Sequence, residues 1–391
     1  MDPKSDKPRY GYIDCVRGYA VLLVITAHYA DHLFPNLPFP VHRLAVMGWY
    51  GVQLFFIASS VTLLMSWRHE EQTHGRSDLR AFLIRRIFRI APAYYAAAIF
   101  YFIVFPPAGE FDLTQALAAI TFVNSWHPLL MPSIPGRWYV VPGGWSIGVE
   151  FTSYMLFPLY VAWTRSLGRA VIALIGAVIA GVLINNWEFT FLSGKYPAGA
   201  VVNFMFFWFP NQACVFAFGG IAFYAIARLR PQGSESSFAT FCAAAGVVLF
   251  FGLTFLPLGH FLGGSPAIPI SLAVCVPLTI FVVALSQTQN KLFVNTYIMR
   301  MGEVSFSAYL AHFAVLAGLG SLPALRLSDA TGYTAIALFA AFWPLVVVVT
   351  YAAAWSSYRF IETPGISTGK NLIARLQRAP STTKLVSPRG P

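Results

Sequence analysis

The chain has 391 residues, 57% of them hydrophobic and only 10% charged, with a formal net charge of +11. A soluble domain carries about 25% charged residues, so the composition excludes an ordinary water-soluble protein and reads as an integral membrane protein with many spans. The basic excess falls in short loops and tails between apolar stretches, where membrane orientation explains it better than nucleic-acid binding.

Residues 1–11 are polar and include Pro and Gly. The apolar stretch after them is too long for a signal-peptide core and lacks a small-x-small cleavage site, so it is read as a retained first span. That span, Tyr12 to Phe34, carries Asp14, Arg17, His28 and Asp31. Arg17 and His28 are 11 residues apart. On a helix this is about 20° past three full turns, so both lie on one face, roughly 16 Å apart along the axis. Ionisable groups at such depths normally face a protein interior or a watery cavity. The polar stripe reads as functional; the plainer alternative is a snorkelling Arg and a His satisfied by a neighbouring helix. Asp31, at i+3 from His28, is expected to point to the outer surface.

Nine further spans are predicted, giving about ten transmembrane helices: 44–67, 88–106, 145–164, 169–187, 204–227, 238–257, 267–286, 302–322 and 333–358. With the N-terminus in the cytoplasm, every Lys and Arg except Arg43, Arg137, Lys195 and Arg326 falls on the cytoplasmic side. This positive-inside asymmetry puts both termini in the cytoplasm. The second connection ends RRIFRIAP, with Arg85 beside Arg86, and Arg86 and Arg89 one turn apart. Two guanidiniums on one face make a phosphate-binding fork. Taken by themselves the residues favour an ordinary basic anchor.

The outer loop from Pro106 to Gly144 is rich in Pro, Gly and Trp. Its apolar segment LTQALAAITFVNSW is too short to span and is expected to lie at the interface or fold back. WSIGVE then opens the fourth span, with Glu150 at a depth that matches His28. A carboxylate hydrogen-bonded to a ring nitrogen would fix the imidazole tautomer and raise its basicity. The alternatives are a structural hydrogen bond or a pair with Arg137. Asn203, Asn211 and Gln212 read as interhelical hydrogen bonds or a local break beside Pro210. Ser305, Tyr309 and His312 share a face in the ninth span, where a buried His is more often a satisfied core residue than a ligand. Arg359 and Glu362 read as an interface ion pair, with Pro364 ending the last helix. Residues 365–391 read as a basic, disordered tail. The four cysteines (Cys15, Cys214, Cys242 and Cys275) lie in apolar spans, and no CxxC or HExxH motif argues for a metal.

The ordered fragments YIDCVRGYAVLLVITAH, FFIASS, RRIFRIAPAYY, WSIGVE, SFSAYLAH and RFIETP resemble the membrane acyltransferase-3 family over roughly Tyr12 to Pro364. The resemblance departs at Ser59–Ser60, where Ser-Gly is usual, at Phe151, which stands for a second Glu, and at Ser153, which stands for an aromatic. It implies an all-α transmembrane acyltransferase domain over 12–364, in the plasma membrane (the inner membrane of a Gram-negative cell). It implies an enzyme that moves an acyl group, acetyl by family habit, from cytosolic acyl-CoA to a hydroxyl of an extracytoplasmic saccharide or glycoconjugate. His28 would be the catalytic base, Glu150 the essential carboxylate, and Arg17 a support for the donor and the polar network. Arg85, Arg86 and Arg89 would hold the donor's phosphates, and Asp14, Trp145, Ser146, Tyr309 and His312 would line the substrate pocket. No metal is implied. Many relatives add a C-terminal hydrolase-like domain, for which residues 365–391 leave no room, so direct transfer or a separate relay partner is expected. Two competing readings are a proton-coupled transporter with an Asp14, Arg17, His28, Glu150 and His312 relay, weakened by the lack of an internal repeat, and a non-catalytic membrane scaffold.

Overall fold

The computed structural model describes residues 11–106, 111–131, 140–229, 236–256, 267–322 and 327–378. These form an all-helical bundle. Its long elements are α1 (Gly11–Leu33), α3 (Gly51–His74), α4 (Leu79–Val104), α6 (Trp145–Trp163), α7 (Leu167–Leu192), α9 (Phe209–Arg228), α10 (Ser237–Gly252), α11 (Ala267–Leu285), α13 (Ser305–Gly320) and α14 (Gly332–Ser357). Each coincides with one of the ten predicted spans. Among the described residues seven helical stretches are long and apolar enough to cross a membrane, or eight if the bent pair containing α13 counts as one span. The difference from ten lies in α6, whose polar residues dilute its hydropathy, and α11, which falls among the shorter apolar helices. Shorter elements are α2 (Phe39–Val46), α5 (Leu113–Ile120), α8 (Ala198–Phe207), α12 (Thr296–Glu303) and α15 (Thr363–Arg378).

The chain is organised around α1, which packs against α3, α12 and α13. Apolar residues cover α1 on nearly every side: Val16, Val21, Ile25 and Tyr29 are fully buried. Close approach needs a missing side chain. A Cβ on Gly302 would land on the Asp14 backbone carbonyl, so α12 lies directly on the start of α1. The chain then bends by 82° between α12 and α13. A break of this kind within a membrane bundle exposes backbone that must be buried in protein or line a cavity. Here it places Ser305, the first residue of α13, in the wall of a cavity.

Four expectations change. The third helix starts at Leu79 and not near 88, because Asp78 caps it by accepting from the Arg80 and Ala81 backbone amides at 2.8 and 3.3 Å. Arg85, Arg86 and Arg89 are therefore helical residues, not loop residues. Pro364 does not stop the last helix: α14 runs through a π-helical turn (Tyr358–Glu362) into α15, which packs on α4. The first part of the tail is thus a helix up to Arg378, and Glu362 is turned inward, 1% exposed, accepting from Ser307 Oγ at 3.0 Å instead of pairing with Arg359. Asp31 faces α2 and pairs with His42 at 3.2 Å. The break predicted beside Pro210 falls between α8 and α9, where Asn211 and Gln212 both donate to the Phe206 carbonyl. The four cysteines are free.

Candidate active site

One cavity collects side chains from five helices: Arg17 of α1, Ser59 of α3, Arg89 of α4, Glu150 and Tyr154 of α6, and Tyr309 of α13. Helical spacing explains the convergence. Arg86 and Arg89 stand at i and i+3, and Glu150 and Tyr154 at i and i+4, so each pair shares a face. Glu150 Oε1 accepts from Ser59 Oγ at 2.7 Å and from the Tyr154 hydroxyl at 2.5 Å. The first bond crosses from α3 to α6, the second lies within α6, and together they fix the carboxylate. Arg17 donates to Thr62 Oγ1 at 3.4 Å and lies within electrostatic reach of Arg86, Arg89 and Glu150. The Glu362 carboxylate sits behind the same guanidiniums, within reach of Arg17 and Arg89. Arginines gathered in a partly desolvated cleft attract an anionic ligand.

The cavity is small, about 70 Å³. A few waters fit such a space, whereas pockets for whole organic ligands run to about 300–1,000 Å³. A ligand arm must therefore displace side chains to pass. Tyr309 lines the cavity. Its hydroxyl donates to the Gly143 carbonyl at 2.9 Å and accepts from Ser146 Oγ at 3.0 Å.

His28 is not in the cavity wall and does not meet Glu150. Its ring packs against Phe313 at 4.4 Å, His312 at 5.4 Å and His32 at 5.8 Å between centroids. The equal depth expected for His28 and Glu150 does not bring them together, because the 3.6-residue period turns His28 toward α13 and away from α6. His312 is fully buried and belongs to this histidine group, not to the cavity wall; its Nδ1 is 2.6 Å from the Tyr309 carbonyl. Tyr309 is common to both places: it lines the cavity, and its ring lies 5.7 Å from that of His312.

The basic residues divide in the same way. Arg89 reaches the cavity. Arg86 lies against the faces of Phe82 and Tyr154, its guanidinium carbon 5.6 and 5.9 Å from the ring centroids. Arg85 is turned away and bonds Glu70 at 2.7 Å. Ser146 lines the cavity, but Asp14 and Trp145 do not. Trp145 instead packs on Phe207 at 4.4 Å. Arg137, the other partner weighed for Glu150, lies outside the described residues. Sequence reasoning passed over Ser59, Tyr154, Ser305 and Glu362 as site residues. The i+4 spacing from Glu150 was available for Tyr154; no local pattern announces the π turn that aims Glu362 inward.

Residues 10–359 match the family described as an acyltransferase domain, the acyltransferase-3 type. Among curated proteins the chain is similar to the acyltransferase MdmB of Streptomyces mycarofaciens, 25% identical over 325 residues, 77% of this chain and 77% of that protein. It is also similar to the peptidoglycan O-acetyltransferase OatA of Listeria monocytogenes, 24% identical over 379 residues. That alignment takes in 90% of this chain and 55% of OatA, so the chain spans about half of OatA's length. No solved structure matches the chain.

Proposed function

The chain belongs to the acyltransferase-3 family of membrane enzymes, and on that premise we propose that it transfers an acyl group, acetyl in the first instance, from cytosolic acyl-CoA to a hydroxyl on an extracytoplasmic saccharide or glycoconjugate. Both termini lie in the cytoplasm in this reading, and the protein sits in the plasma membrane. The observation that carries the proposal is the convergence of Arg17, Arg89 and Glu150 in one cavity, with Arg17 on the same helix, α1, as His28. Arg89, with Arg86 behind it, takes the donor's phosphates by charge-assisted hydrogen bonds. Glu150, held by Ser59 and Tyr154, keeps the guanidiniums aimed and partly neutralised until the donor arrives. The thioester arm passes Tyr309 to reach the histidines, so this tyrosine moves during turnover.

His28 acts as the general base. It takes the acceptor's proton as the oxygen attacks the thioester carbonyl, and holding both substrates on one bundle makes the encounter effectively unimolecular. OatA is by its name a peptidoglycan O-acetyltransferase, which makes a cell-surface glycan the first acceptor to try.

The test is release of free CoA and appearance of labelled acetyl on a glycan fraction by purified protein in nanodiscs. His28→Ala should lower turnover by about 10²–10⁴-fold, the usual worth of general-base help, while CoA still binds. Undiminished turnover by a well-folded His28→Ala protein ends the mechanism. Proton movement without any thioester cleavage would favour the transporter reading. That reading needs one relay through Glu150 and the histidines, and these fall in separate networks.

A further inference from the structure

A base that takes a proton through one ring nitrogen carries charge on both, and the second N–H then needs an acceptor. Glu150 does not serve, since it lines a cavity whose wall His28 does not join. The ring beside His28 is His312, with centroids 5.4 Å apart and planes 37° from parallel. His312 is 0% exposed, and its Nδ1 lies 2.6 Å from the Tyr309 carbonyl oxygen. A carbonyl only accepts, so Nδ1 must carry the proton. The Nε2 of a neutral His312 is then a bare lone pair. That atom is buried and has no hydrogen-bond partner among the described residues. Buried polar atoms without partners are rare, and each asks for an explanation.

We infer that His312 Nε2 is the acceptor for His28: a positioning residue that fixes the His28 tautomer and takes up its second N–H when the ring becomes an imidazolium. The inference rests on the reading of His28 as the base. Ring nitrogens lie about 1.1 Å from their centroid, so facing nitrogens on these two rings can come within about 3 Å, which is hydrogen-bond range. The final torsion of a histidine side chain is broad and soft, so the rotation needed is cheap. Among the described residues the titratable groups that face His28 are His32 from its own helix and His312 from α13. His32 is exposed, which leaves His312 as the group with fixed geometry.

The steps balance without a further reactant. The acceptor oxygen forms the C–O bond at the thioester carbonyl carbon as its proton passes to the free nitrogen of His28. His312 meanwhile accepts a hydrogen bond from the other N–H and stays neutral. The tetrahedral adduct collapses, the C–S bond breaks, and His28 returns the proton to the departing thiolate. His312 touches neither substrate. It acts through His28, as the backbone carbonyl of Tyr309 acts through His312.

Two substitutions separate the atoms involved. His312→Asn keeps a donor where Nδ1 stands but has no atom at the place of Nε2. His312→Gln puts an amide at the place of Nε2. With acetyl-CoA as donor, His312→Asn should lower kcat about 10–100-fold, part of the usual general-base contribution, with donor and acceptor KM within about twofold. His312→Gln should recover most of that loss. Equal impairment of the two variants, wild-type kcat in His312→Asn, or a change confined to acceptor KM would each overturn the inference. His28→Ala is measured in parallel. If it is inactive while His312→Asn is fully active, only the role of His312 falls; if it is fully active, the base reading falls as well. Should His312→Asn fail to fold, nitrogen-15 shifts of histidine-labelled wild-type protein decide. The Nδ1–H tautomer at His312 is expected, and the Nε2–H tautomer refutes the assignment.

Discussion

Arg85, Arg86 and Arg89 are equivalent by charge, yet the fold gives them different neighbours, and that difference predicts a graded response. Arg89 opens into the cavity; Arg85 is committed to Glu70 at 2.7 Å. A hydrogen bond to a charged group is worth about 1.5–3 kcal/mol. With each factor of ten equal to about 1.4 kcal/mol, Arg89→Ala should weaken CoA binding by about 10–150-fold. Arg85→Ala loses a partly exposed ion pair, worth about 1 kcal/mol or less. Its charge acts on the donor only through salt-screened distance, with a Debye length of about 8 Å. A change in affinity under about threefold is expected. Titration calorimetry of CoA on nanodisc-embedded protein reads the dissociation constants, and initial rates against acetyl-CoA check that KM follows them. Equal losses in the two variants, or an Arg89→Ala protein within twofold of wild type, would show that the cavity is not the donor site.

Other consequences follow from the same packing. Glu150→Gln keeps an acceptor for Ser59 and Tyr154 but strips the charge that faces Arg17 and Arg89. With Glu362 still within reach of Arg17 and Arg89, the loss should be smaller than the roughly 3–5 kcal/mol of a buried pair broken outright, about 1–3 kcal/mol of unfolding free energy, read by denaturant titration in detergent; unchanged stability would mean that Glu150 does not balance them. Gly302→Ala forces a methyl onto the Asp14 carbonyl and should destabilise the protein by at least about 1–3 kcal/mol, the range for overpacking; an unaltered melting temperature would contradict the close α1–α12 contact. Arg68 ties the end of α6 to α3 by donating to the Val161 and Thr164 carbonyls at 2.9 and 2.8 Å. Arg68→Met should lose about 2–4 kcal/mol while kcat per folded molecule holds, and a fall in kcat at full stability would give Arg68 a different role.

The helices were legible because each is a long apolar run between Gly, Pro or charged breaks, although their ends moved by several residues, as at α3, and further where a cap or a bulge intervened. Asp78 lengthened α4 by about two turns, and the π turn carried α14 through Pro364. Which residues share a helix face was legible as well: Arg86 with Arg89, and Ser305 with Tyr309. Which helix each face meets was not. Depth put His28 level with Glu150, but depth carries no information about rotation around the bundle axis, and that rotation gave His28 to His312 and Glu150 to the arginines. Glu362 stayed hidden for a related reason. Its sequence spacing from Arg359 suits a surface pair, and one extra residue in a helical turn was enough to reverse its direction.

The unbroken run of α1 from Gly11 to Leu33 makes it a measuring stick. In the proposed mechanism Arg17 marks the level of the cavity where Arg89 takes the donor's phosphates, and His28 marks where its reactive end would arrive. A donor stripped of its nucleotide would lose the mooring but still match the far mark, so it should react slowly and saturate poorly. Removing a single residue between the two marks would shorten the interval by only about 1.5 Å but swing His28 by about 100°. Such a protein would fail because its two ends point in different directions, a defect that no longer or shorter thioester can repair.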